Sequence, residues 1–115
     1  MSGHGDDRQA IADQLVAAGV GPVSLDRGQA PPMVLVGMPT GDTAPPALGV
    51  WRVTCPITIV WLPPGDSANT EWAFGQLELI LTALGWAPYR PVTFGDDDNP
   101  AYQLTYPRTI PNPLC

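Results

Sequence analysis

Lysine is absent from this chain and histidine occurs once, as His4. All five basic residues are arginine, set against eleven carboxylates, for a formal charge of −6. A protein that holds nucleic acid by its phosphates needs a basic face to release counterions, and this composition supplies none. Specific DNA or RNA binding is therefore not expected, although an acidic surface suits a wall past which DNA moves without sticking. Cysteine occurs only at Cys55 and Cys115. Their spacing matches neither a zinc site nor a redox pair, and a disulfide would require the end of the chain to fold back into the core. Cys55 is expected to act as a small buried hydrophobe. No apolar run approaches the length of a membrane span. The polar start, MSGHGDDRQ, lacks the basic and apolar regions of a signal peptide, which leaves the cytosol by elimination.

Signals of catalysis are also missing. No serine stands in a G-x-S-x-G context and no phosphate loop is present. Ser2, Ser24 and Ser67 have no recognisable base, and His4 reads as a solvated terminal residue. Asp96, Asp97 and Asp98, followed by Asn99, offer hard-cation ligand types. They lack the alternating ligands and distal glutamate of a calcium loop, and read as a solvated hairpin tip. Asp66 and Glu71 are accounted for by the positive end of a helix dipole. The expectation is a protein without cofactor or metal, and not an enzyme.

What is present is organised around residues 50–86. From Trp51 to Trp61 the odd positions are all apolar (Trp51, Val53, Cys55, Ile57, Ile59, Trp61) and the even ones mostly polar. That alternation predicts a strand with one buried face. Pro56 lies inside it, so a bulge at Cys55–Pro56 is expected, with a face assignment firmer after Ile57 than before. After PPGDSANT, the residues Ala73, Leu77, Ile80, Leu81 and Leu84 form a stripe with helical period. Gly85 ends this helix, Pro88 prevents its continuation, and Trp86 is placed to fold back on the last turn.

The remaining segments fit around this pair. Ile11, Ala12, Leu15, Val16 and Ala18 mark a helix from Arg8, capped by Asp6 or Asp7 and stopped by Gly19. Residues 1–5 are expected to fray. Residues 23–32 form a connector, with a short extended piece at its start. MVLVGM (33–38) predicts a strand, and residues 39–49 a long loop of the kind usually kept to touch something. YRPVTF (89–94) and AYQLTY (101–106) predict a hairpin, with Val92 and Phe94 facing Tyr102, Leu104 and Tyr106. The proline-rich 107–115 reads as an extended arm. Together these predict a single α+β domain over 1–115. It is a two-layer sandwich: a mixed or antiparallel sheet of about four to five strands carries two helices, in the order α-β-β-α-β-β. Of the four tryptophans, Trp51 and Trp61 belong to the core, while Trp72 and Trp86 are candidates for an interface.

This pattern resembles the tail terminator proteins of long-tailed, non-contractile phages, particularly those of actinobacterial hosts. The likeness lies in the order and texture of DRQAIADQLVAAGV, MVLVGM, the long loop, VTCPITIVWLP, TEWAFGQLELILTALG and a final hairpin. The all-arginine, proline-rich and alanine-rich usage fits a high-GC host. The resemblance implies a structural protein that forms a hexameric ring, caps the tail tube and meets the head–tail connector. DNA would then be passing cargo, and the location the head–tail junction of the virion, reached from the host cytoplasm. Mapped here, the loop residues Pro39, Thr40, Asp42, Pro45 and Pro46 and the arm residues Arg108 and Ile110 would reach neighbours, with Trp72 and Trp86. Another head–tail connector or tail subunit is a close alternative. An acidic inhibitor or immunity-type protein, binding one basic partner through Asp96–Asp98 and exposed tryptophan, is a different one.

Overall fold

A computed structural model describes residues 3–25, 32–41, 50–61, 67–95 and 99–111. Their elements are α1 (Gly3–Ala17), β1 (Val23–Ser24), β2 (Met33–Val36), β3 (Thr40–Gly41), β4 (Val50–Val60), α2 (Ser67–Leu84), β5 (Tyr89–Phe94) and β6 (Asn99–Pro111). This is an α+β protein with a mixed sheet of six strands in the order β1-β2-β4-β6-β5, β3 joining β4 as well. The class agrees with the sequence reading, while two short strands, β1 and β3, add to the expected count. β1 pairs with β2 in parallel and every other pairing is antiparallel.

β4 is the spine. Its pairing with β6 runs without a slip from Val50↔Pro111 to Val60↔Ala101. Pro56 therefore does not shift the faces of β4, and the expected bulge lies on the neighbouring strand. β2 ends with Val36↔Ile57 and β3 begins with Thr40↔Thr54, so Gly37, Met38 and Pro39 oppose only Cys55 and Pro56. The carbonyl of Pro56 accepts from Gly37 N at 2.8 Å, placing the proline's donor-less nitrogen on this bulged side. That is where a strand tolerates proline.

From Cys55 on, the odd residues of β4 face the helices, while the side chain of Trp51, expected in the core, lies outside the described residues. Cys55, Ile57, Ile59 and Trp61 join Val34, Val36, Leu104 and Tyr106 from the sheet, Ile11, Ala12 and Leu15 from α1, and Ala73, Leu77 and Ile80 from α2. Full burial of each large aliphatic here stabilises by about 1.5–3 kcal/mol relative to exposure. A second cluster, Met33, Leu35, Val60 and Ala101 with Val92 and Phe94, occupies the opposite face. This corrects the expected hairpin packing. Val92 lies opposite Ala101 and Phe94 opposite Asn99, whereas Tyr102 lies opposite Pro91. Val92 and Phe94 thus point away from Tyr102, Leu104 and Tyr106, because a register change of one residue exchanges the faces.

Both helices end as their glycines dictate. Gly19 has φ +90 and Gly85 φ +92. Val20 N closes on Leu15 O at 3.0 Å, and buried Val20 supplies the apolar contact of a Schellman turn. α1 starts at Gly3, ahead of the expected Arg8, so Asp6 and Asp7 lie inside the helix and do not cap it. Val16, expected on its buried stripe, is 61 % exposed. No helix among the described residues is long and apolar enough to cross a membrane.

Candidate functional site

Residues 107–111 are not an arm. They continue β6 against Val50–Thr54, making a ribbon at the far end of the sheet that β3 joins at Val53 and Thr54. Proline does not interrupt this pairing, for a geometric reason. Thr105 N donates to Pro88 O and Trp61 N to Pro100 O, so odd residues of β6 turn their backbone groups towards the β5 side and even ones towards β4. Pro107 and Pro111 are both odd, and their missing N–H groups fall on the outer edge. Pro91 has the same outward setting on β5. The outer edge is thereby protected against further strand pairing, and contacts there must be made by side chains.

The ribbon is tied to α1 by Arg108. Its Nε lies 3.2 and 3.1 Å from the two carboxylate oxygens of Asp7, and its Nη2 lies 2.5 Å from one of them. The hydrogen bond to Asp7 raises the Arg108 pKa. Beneath this pair lies Cys55, whose thiol pKa is pushed up by burial first and by Asp7 second. Arg8 secures the bulge by donating to the carbonyls of Val36, Gly37 and Leu25. These contacts make Asp7 and Arg8 a polar clamp on the sheet, ahead of the apolar stripe of Ile11, Ala12 and Leu15. Thr40 lies beside Thr54, itself opposite Pro107, whereas Arg108 lies opposite Val53 and points to α1. The expected contacts Thr40 and Arg108 therefore fall on opposite faces of the sheet at the ribbon end and are not brought together. A concavity of about 420 Å³ there is lined by Arg52, Val53, Thr54, Pro107, Arg108 and Thr109.

The second surface lies on α2 and the start of β5. Trp86 does not fold back. It is 75 % exposed and meets Tyr89 edge-on at 5.7 Å, while Ala87 takes the buried place. Tyr89 contacts Tyr102 at 6.2 Å, Phe74 of α2 contacts Tyr102 at 6.1 Å, and buried Trp61 stacks on Tyr102 at 5.6 Å. The result is a continuous aromatic strip rooted in the core and ending in solvent, with Tyr89 42 % and Phe74 40 % exposed. Along α2, Glu71 and Glu78 flank Phe74 at positions that share its side of the helix, and both are exposed. Trp72 is half-buried against the core and borders a hollow of about 500 Å³ with Gly75, Gln76, Glu78, Leu79 and Thr82.

Of the residues singled out from sequence, Trp86 thus stands in the strip, Trp72 on another side of α2 from Phe74, and Arg108, Thr40 and half-buried Pro39 towards the ribbon. Asp42, Pro45, Pro46 and Asp96–Asp98 lie outside the described residues. So does the side chain of Ile110, although its backbone pairs with Trp51. Sequence reasoning missed Asp7, Phe74, Tyr89 and Tyr102. From sequence Asp7 reads as a helix cap, and the three aromatics become a surface only once the β5–β6 register is known. Among the described residues no group of three or more His, Cys, Asp or Glu is placed to hold a metal ion. Comparison of the sequence with protein-family models and with curated proteins returns no match.

Proposed function

We propose that this chain is a ring-forming assembly protein, a phage tail terminator that caps the tail tube and joins it to the head connector. The observation that carries this reading is the aromatic strip ending at Trp86, an exposed apolar surface of the kind that marks a protein–protein contact. The outer sheet edge, blunted by Pro91, Pro107 and Pro111, keeps association to side-chain surfaces. A two-layer arrangement with both helices on one face, the resemblance to the terminators read from the sequence, and an acidic composition suited to passing DNA support it. In this reading the chain acts at the head–tail junction after assembly in the host cytoplasm, as a hexameric ring without membrane, cofactor or catalytic role. Its partners are the tail tube protein, the connector and copies of itself.

The test is tube capping. Purified chain is added to polymerising tail tube protein from the same phage, and the tubes are measured by electron microscopy. Shortened tubes bearing a terminal ring are expected. Tubes of unchanged length, with no bound chain, contradict the reading. Glu71 and Glu78, acidic and exposed beside aromatic rings, favour one second reading, an inhibitor of a single basic partner. That protein would form a one-to-one complex and no ring.

A further inference from the structure

We infer that the chain docks head to tail on a second copy of itself, the β4–β6 ribbon of one copy seating on the outer face of α2 and the aromatic strip of the next. This rests on the reading of the chain as a self-assembling subunit, and it names the two surfaces that meet.

The argument is one of charge. Arg8 is spent on three backbone carbonyls, Arg108 on Asp7, and Arg90 reaches Gln103 at 3.5 Å. Among the described residues this leaves Arg52 as the exposed arginine without a partner, on the ribbon and on the sheet face away from the helices. On the carboxylate side, Asp7 is taken and Asp13 accepts from Gln9. Among the described residues Glu71 and Glu78 remain exposed and unpaired on α2, on the side of the helix that carries Phe74, whose ring is linked through Tyr102 to Tyr89 and Trp86. Asp6 is also exposed, but on α1, across the sheet from Arg52. A free guanidinium at one end of β4 and an acidic, aromatic surface towards the other are complementary. Carboxylates pair with arginine, and the faces of Trp and Tyr attract it.

Shape agrees with charge. Among the described residues the ribbon is joined by β3 only at Val53 and Thr54, and beyond them Val50–Arg52 pair with β6 alone. Its β6 edge is closed to a third strand by Pro107 and Pro111, so it can be covered only by a surface that receives side chains. The two surfaces lie on different parts of one chain, so their contact is heterologous. It propagates around a ring or along an open filament and does not stop at a symmetric pair.

Charge reversal on the full chain tests this, read by sedimentation velocity over a concentration series. Wild type should associate, and more weakly as salt rises. Arg52→Glu alone, and Glu71→Arg with Glu78→Arg, should each weaken association by about tenfold or more, since each now sets like charges face to face. Both variants should keep the wild-type melting curve, because these side chains are exposed. Mixed in equal amounts they should recover association, the reversed ribbon of one meeting the reversed helix of the other. Association untouched by the reversals, or no recovery on mixing, overturns the inference, while intact tube capping would leave the functional reading standing. Recovery on mixing without tube capping does the opposite. A wild type that stays monomeric yet binds an oligo-arginine peptide through Glu71 and Glu78 overturns it in favour of a basic partner.

Discussion

Replacing Asp7 and Arg108 by alanine, singly and together, tests whether residues 107–111 belong to the sheet. The two residues are 101 positions apart, and only a β6 that continues past Tyr106 brings them into contact. Exposed ion pairs contribute about 0.2–1 kcal/mol. This one has side chains only 33 % and 18 % exposed and engages the carboxylate through two guanidinium nitrogens. That geometry places the coupling near the top of the range, about 1 kcal/mol. Each single alanine also removes that side chain's own packing and propensity contribution, which lies outside the pair. That second contribution cancels in a double-mutant cycle. With unfolding entropy near 2 cal/mol/K per residue, 1 kcal/mol corresponds to about 4 °C in a chain of this size. Urea denaturation of the four proteins measures the cycle. A coupling within about 0.3 kcal/mol of zero would mean that Arg108 is not held against α1 and that the sequence reading of a free arm is correct.

Three further outcomes are expected. Ile57→Asp places an unpaired carboxylate at a position with no solvent exposure, between Val36 and Leu104, and should abolish cooperative unfolding in circular dichroism. Gly37→Ala sets a Cβ 2.8 Å from Pro56 Cγ and 3.1 Å from its carbonyl oxygen, which should destabilise by about 1–3 kcal/mol in denaturant titration. Cys55 and Tyr106 both have raised pKa values, each led by burial, so the unfolded chain ionises before the folded one. Their contribution is full at neutral pH and falls as pH climbs above about 8.5 for the thiol and about 10 for the phenol. Cys55→Ala should flatten the first part of that decline in melting temperature, and an unchanged slope would show that the thiol is not desolvated.

The legible parts of this fold are those fixed by local pattern. Alternation from Trp51 to Trp61 identified β4 and its buried face. The period of Ala73, Leu77, Ile80 and Leu84 identified the packed side of α2, and Gly19 and Gly85 marked both helix ends. What escaped depended on distant partners. β1 and β3 are two residues each and exist only through pairing with β2 and β4. Pro107 and Pro111 suggested an arm because proline breaks a ladder, and only the alternation of bonded positions shows that both sit where no donor is needed. Asp7 explains itself locally as a helix-start residue, which hides its role as the partner of Arg108. Trp86 was legible as an interface candidate, but its continuity with Tyr89, Tyr102 and Phe74 required the register of the final hairpin.

The most direct test of the central claim is the mass of the purified protein by light scattering across a concentration series, alone and with tail tube present. Assembly predicts a species near six times the 12.2 kDa chain, free or bound at tube ends. A particle of 12.2 kDa at every concentration, with no binding to tubes, would contradict it.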